Sequence, residues 1–135
     1  MVSMSYDFEF SAAHRLYCPD LSDAENRRVF GRCMNAHGHG HNYVVRVTIR
    51  GRPDDATGAL LPIGDVARVV NERVIDRFDH KHLNLDCPEF ADLIPSVENI
   101  TRVIFDKLRG GFGPAVLERV RVYETPKTYA EVCED

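Results

Sequence analysis

Three histidines spaced two apart, His37, His39 and His41, run straight into the alternating segment Tyr43–Arg50. Along that segment Tyr43, Val45, Val47 and Ile49 share one parity and Val44, Arg46, Thr48 and Arg50 the other, the pattern of a half-buried strand. Side chains in a strand repeat every two residues. If the extended conformation reaches back to His39, the imidazoles of His39 and His41 share one face. Two neighbouring imidazoles make most of a metal site that lacks a third ligand. Neutral imidazole nitrogen suits zinc, and three protein ligands leave a fourth position for chemistry. The run taken alone fits a solvated loop or an adventitious metal binder equally well.

The rest of the chain supplies the context. Met4 to Ala12 alternates, with Tyr6, Phe8 and Phe10 against Asp7, Glu9 and Ser11, and predicts another strand. His14 follows at the parity of the aromatics; taken in isolation, such a histidine reads as packed or capping. Tyr17 to Gly31 is polar and reads as a loop with one helical turn. Gly51 to Gly58 is a turn rich in breakers. Ala59 to Ile63 is a candidate return strand, with Pro62 placing it at an edge or an end.

Two helices follow. In Asp65 to Phe78, Val66, Val69, Val70, Val74 and Phe78 fall on one stripe, and Asp65 is a plausible N-cap. In Val97 to Arg109 the stripe is Ile100, Val103, Ile104 and Leu108, capped by Ser96 and stopped by Gly110-Gly111. Leu117 to Glu124 is a strand with Val120 and Val122 inward, and Thr128 to Cys133 a last short one. Strands and helices do not alternate one by one, so a doubly wound parallel sheet does not fit. An antiparallel sheet with two helices on one face does, an α+β arrangement.

Composition removes several functional classes. The 135 residues suit one domain, 1–135, with no internal repeat or linker. The formal net charge of -4, without a long basic run, argues against nucleic acid as the main partner. No stretch approaches a membrane span, and Met1 to Phe10 has no signal-peptide core, so the expected home is the cytoplasm. Cys18, Cys33, Cys87 and Cys133 show no paired rhythm and no CxxC, which favours free thiols. Cys33 stands out by its nearness to the histidines.

Two other places carry chemistry. Asp79-His80-Lys81-His82 follows the first helix, and a carboxylate that orients an imidazole fixes its tautomer and raises its basicity. A solvated helix terminus is the simpler alternative, and His82 reads as a surface residue. Glu124 ends its strand; such a glutamate is usually just exposed, but it can accept two parallel N–H bonds from a planar amidine-like group.

Taken together, Phe10-Ser-Ala-Ala-His-Arg-Leu16, Cys33 through His39-Gly-His41-Asn-Tyr43, Asp79-His80-Lys81-His82-Leu83, Ser96-Val97-Glu98-Asn99 and Val122-Tyr123-Glu124-Thr125 resemble the 6-pyruvoyl-tetrahydropterin synthases and their sister group, the 6-carboxytetrahydropterin synthases. The matches span nearly the whole chain in the family's order. The resemblance implies a tunnelling fold, a four-stranded antiparallel sheet carrying two helices on one face. It also implies a homo-hexamer, a dimer of trimers with active sites between subunits. By the same resemblance His14, His39 and His41 are zinc ligands, Cys33, Asp79 and His80 are catalytic, and Glu124 holds the pterin ring. The implied activity is that of a carbon–oxygen lyase releasing triphosphate from 7,8-dihydroneopterin triphosphate.

The chain departs from the simplest pattern in places. Five residues separate Cys33 from His39, which resembles the pyruvoyl-forming group, and three separate Cys33 from His37, which resembles the carboxy-forming group. His39 and His41 are preferred because Asn42-Tyr43 aligns with the strand start in both groups, leaving His37 spare. Val97 stands where a hydroxyl residue is often found. The segment Glu124-Thr125-Pro126 leans toward bacterial carboxy-forming members. The product is therefore 6-pyruvoyl-tetrahydropterin or, in queuosine and deazaguanine biosynthesis, 6-carboxy-5,6,7,8-tetrahydropterin. A non-catalytic pterin- or metal-binding module is the reading from another class. Arg15, Arg28, Arg32 and Lys81 are the cations near the motifs for a triphosphate.

Overall fold

The computed structural model describes residues 1–134; Asp135, the last residue of the expected 1–135 unit, lies outside them. The fold is α+β, built on a sheet of strand order β3-β1-β2-β4-β5. Strand β1 (Val2–His14) runs antiparallel to β2 (His39–Gly51), which runs antiparallel to β4 (Val116–Thr125), which runs antiparallel to β5 (Thr128–Cys133). The expectation of a four-stranded antiparallel sheet is corrected on both counts. A fifth strand, β3 (Lys81–His82), lies parallel to β1 at Ala12 and Ala13. Its cause is local. Asp79 Oδ1 accepts the Ser11 amide at 2.9 Å, the His80 amide donates to the Ser11 carbonyl, and His80 takes φ +62, laying the next residues along the β1 edge.

The strands extend beyond the alternating cores of their sequences. In β1 and β2 the pairing runs unbroken from Val2↔Gly51 to His14↔His39, so both strands reach the histidines. Directly opposed residues of an antiparallel pair share a face. Phe10↔Tyr43, Ala12↔His41 and His14↔His39 therefore point one way, and Ser11↔Asn42 and Ala13↔Gly40 the other.

The inward face packs under the helices. Helix α2 (Asp65–Val70) continues through a π-helical stretch, Asn71–Ile75, into α3 (Asp76–Phe78). A short α4 (Leu83–Asp86) precedes α5 (Val97–Leu108), whose Ser96 Oγ accepts the Asn99 amide as an N-cap. The predicted stripes are buried: Val66, Val69, Val70, Val74 and Phe78 from one run, Ile100, Ile104 and Leu108 from α5, against Tyr43, Val45, Val47, Ile49, Val120 and Val122 of the sheet. The N-cap of α2 is Gly64 at φ +94 rather than Asp65, which is the first helical residue.

Two loop readings are corrected. The polar segment after Tyr17 holds α1 (Asp23–Phe30), two turns rather than one, capped by Ser22 Oγ on the Glu25 amide. Its anchor is Asn26, fully buried, bonded to the Cys18 amide and to the carbonyls of Cys18, Leu21 and Ser22. Ala59–Ile63 is not a strand. The bonds Gly58 N→Asp54 O and Asp54 N→Ala59 O close a local loop instead of starting a ladder, and Ile63 is fully exposed at 103%. No helix is long and apolar enough to cross a membrane among the described residues.

Candidate metal centre

The site is assembled at one end of the β1–β2 pair. His14, the last residue of β1, is 0% exposed. Its Nε2 lies 3.2 Å from His39 Nε2, and His39 Nε2 lies 2.7 Å from His41 Nε2. Cys33 comes from the 3-10 turn Gly31–Met34 that follows α1, and its Sγ is 3.4 Å from His39 Nε2. Glu124, near the end of β4, brings Oε2 to 4.0 Å from His14 Nε2. Two overlapping donor groups result, His14–Cys33–His39 and His14–His41–Glu124, each with its ligand atoms within 4.8 Å of one another.

The electrostatics suit neutral donors. Burial pushes the His14 imidazole down to about 4, with the Pro95 carbonyl opposing it. Burial and then His41 also lower His39. Burial and the Glu124 carboxylate push the Cys33 thiol up. His14 Nδ1 lies 2.8 Å from the Pro95 carbonyl, which can only accept, so the proton sits on Nδ1 and the Nε2 lone pair faces the other histidines. The Tyr43 hydroxyl, 3.1 Å from the same Nδ1, adds a polar neighbour.

The family model for 6-pyruvoyl tetrahydropterin synthase matches residues 3–135. The chain belongs to that family. Among its relatives, the human 6-pyruvoyl tetrahydrobiopterin synthase is 44% identical over 122 residues, covering 90% of this chain and 84% of the human one. A protein of Archaeoglobus fulgidus, provisionally named 6-carboxy-5,6,7,8-tetrahydropterin synthase, is 38% identical over 95 residues, 70% of this chain and 74% of its own. The solved structure of Caenorhabditis elegans 6-pyruvoyl tetrahydropterin synthase superposes with a TM-score of 0.91 at 38% identity, covering 99% of this chain and 96% of that one.

The donor set is of a kind that could hold a metal ion, and its spacing can be compared with that of tetrahedral zinc. On a tetrahedral zinc, two nitrogen donors stand about 3.3 Å apart and a nitrogen and a sulfur about 3.6 Å apart. The His14–His39 and Cys33–His39 separations of 3.2 and 3.4 Å lie close to those values. The His39–His41 gap of 2.7 Å is tighter, a distance at which two ring nitrogens repel unless a proton or a cation lies between them.

Asp79 and His80 are paired with each other and belong to neither donor group. His80 Nδ1 is 3.0 Å from Asp79 Oδ1, and the Ser11 amide, then the His80 imidazole, hold the Asp79 carboxyl below its usual range. His80 is 82% exposed and lines an open pocket with Ser11, Ala13, Gly40 and Asn42, the outward-facing residues of β1 and β2, and with His41 and His82. No hydrogen bond among the described residues joins either to Cys33. Of the candidate cations, Arg15 is already engaged, its Nε on the Met34 carbonyl at 3.0 Å and its guanidinium 4.1 Å over the Tyr17 ring. Arg28 pairs with Glu25 at 2.7 Å.

Several supporting residues escaped sequence reasoning. Pro95 and Asn84 left no local signal. Asn84 clamps the residue after His14 by accepting the Arg15 amide at 2.8 Å and donating to the Arg15 carbonyl at 2.9 Å. Gly38 did carry one, a glycine wedged between histidines. It sits at φ +74, and a Cβ there would meet the His14 carbonyl oxygen at 2.7 Å. His82, expected on the surface, is half-buried, with its Nδ1 unpartnered among the described residues.

Proposed function

We propose that this chain is a zinc-dependent carbon–oxygen lyase that converts 7,8-dihydroneopterin triphosphate to 6-pyruvoyl-tetrahydropterin with loss of triphosphate. One observation carries the reading: His39 Nε2 lies 3.2 Å from His14 Nε2, 2.7 Å from His41 Nε2 and 3.4 Å from Cys33 Sγ, with the Glu124 carboxylate 4.0 Å from His14. Three imidazoles, a thiol and a carboxylate make five candidate donors, one more than a closed structural site of tetrahedral zinc uses. Relatives named for this activity, at identities such as the human protein's 44%, support the same reading.

His14, His39 and His41 are the residues that would hold the zinc. When bound, zinc supplies Lewis acidity toward the hydroxyls of the substrate side chain. The chain's own groups do the rest. The Pro95 carbonyl holds His14 in the tautomer whose Nε2 lone pair faces inward. Glu124 offers two oxygens to the amino and ring N–H groups of the pterin. Cys33 takes and returns a proton on the side-chain carbons. Burial keeps it a thiol until positive charge is near. In His80, Asp79 holds the Nδ1 proton, leaving Nε2 to exchange protons with substrate.

The exposure of His80, 82%, beside an open pocket supports a site shared between subunits of a homo-hexamer, with one subunit supplying the thiol and another the dyad. Open sheet edges support assembly too. The β1 edge is covered by β3 only at Ala12 and Ala13, β5 ends the sheet, and Val2, Met4 and Tyr129 are exposed.

Purified protein incubated with 7,8-dihydroneopterin triphosphate should release triphosphate and give a product whose mass retains the three-carbon side chain. The Archaeoglobus relative favours the alternative, 6-carboxy-5,6,7,8-tetrahydropterin. A shortened carboxylate with released acetaldehyde would establish it. Pterin binding without turnover would leave only a binding module.

A further inference from the structure

Cys33 is placed too firmly, and too close to the imidazoles, to be a free-swinging thiol. Its carbonyl accepts the Leu16 amide at 2.7 Å, and the neighbouring Met34 carbonyl accepts Arg15 Nε at 3.0 Å. Both bonds come from the two residues that follow His14. The turn carrying Cys33 is thus hooked onto the strand end that carries a candidate ligand. The sulfur stands 3.4 Å from His39 Nε2, near the roughly 3.6 Å expected between a nitrogen and a sulfur that share one tetrahedral zinc. The other candidate donor, Glu124, groups instead with His14 and His41. Glu124 Oε2 is 4.0 Å from His14 Nε2, against about 3.3 Å for an oxygen and a nitrogen on the same ion.

We propose that Cys33 is the fourth metal donor of the substrate-free site, closing the coordination that His14, His39 and His41 leave open. This rests on the reading of those histidines as the metal ligands, and it adds a resting state to the site. As the sulfur–metal bond forms, the S–H bond breaks and its proton goes to solvent. Displaced from that position by a substrate hydroxyl, Cys33 would be left as a thiolate able to accept a proton, and while bound to the metal it would be shielded from alkylation.

Cobalt(II) loaded in place of zinc gives a direct readout, because only a bound thiolate adds a strong sulfur-to-metal charge-transfer band in the near ultraviolet. The native chain should show this band with one cobalt per chain. The Cys33→Ser and Cys33→Ala variants should keep the cobalt and its weaker visible bands but lose the ultraviolet one, while Glu124→Gln retains it. Metal loading should release about one proton more from the native chain than from Cys33→Ala. A native spectrum without the band, or a band that survives in Cys33→Ala, overturns the proposal. The two readings fail separately. Turnover of the pterin triphosphate without the band sinks the resting ligand alone, and the band without turnover sinks the assigned activity alone.

Discussion

At the scale of single residues, the site depends on a backbone approach that a side chain would block. Gly38 is held at φ +74, and a Cβ would come within 2.7 Å of the His14 carbonyl oxygen. Gly58 has nearly the same φ, +73, but nothing within 4 Å of the added atom. The pair separates backbone strain from collision. Gly58→Ala should cost about 1 kcal/mol of stability, the left-handed penalty alone, measured by urea unfolding. Gly38→Ala should cost clearly more, about 2–4 kcal/mol, and should also lower the metal retained after dialysis, because what moves is the backbone of a ligand. Equal losses in the two variants would show that the close approach relaxes freely. Asn84→Ala is a second test of the same shell. Losing both bonds to Arg15 should cost about 1–3 kcal/mol and weaken metal retention without touching a ligand.

Among the elements, the helical layer is tied down by one ion-paired carboxylate. Glu89, in the 3-10 turn Pro88–Phe90, is 2.7 Å from both Arg77 Nε and Lys107 Nζ. Burial opposes its charge, but the bonds from Arg77 and Lys107 outweigh burial and bring its carboxyl down to about 2. The folded value lies below the unfolded one. The stabilisation is therefore fully present above about pH 4.5 and is lost as pH falls toward 2, and it is worth about 3 kcal/mol at most. Glu89→Gln should be less stable than the native chain at pH 7, and the difference should shrink steadily in urea titrations between pH 4.5 and pH 2. A difference independent of pH would assign the loss to packing.

This scale also shows how far the sequence could be read. Alternation located β1, β2 and β4, and the helical stripes located α2 and α5, because those elements bury one face and the burial is written every two or every three to four residues. Strand β3 could not be read, since two residues carry no period and its pairing is dictated by Asp79 bonding to a distant Ser11. Helix α1 was underestimated because its anchor is a buried asparagine, Asn26, rather than an apolar stripe.

For the whole molecule, a site shared between subunits, as proposed, carries a prediction that no single chain can imitate. Cys33→Ala and His80→Ala should each be inactive when assembled alone. Unfolded together in equal amounts and refolded, they should recover about a quarter of native activity, because about one site in four then draws Cys33 and His80 from intact partners. Activity that stays at the background of the separate variants would place both residues in one chain's site. Sedimentation of the native protein should give a hexamer.

What the sequence by itself determined was the inventory: the cores of the long strands and of the two main helices, which face each histidine takes along its own strand, and the family to which the ordered motifs belong. These follow from local periodicity and from residue types, which any stretch of chain carries with it. The meeting of His14 with His39 and His41, the proton held on His14 by Pro95, the hook that fixes Cys33 and the pairing of Asp79 with the Ser11 amide were decided only by the tertiary structure. Each depends on the register of strands or on a bond between residues far apart in the chain, and such distances are set by packing rather than by any neighbour in sequence.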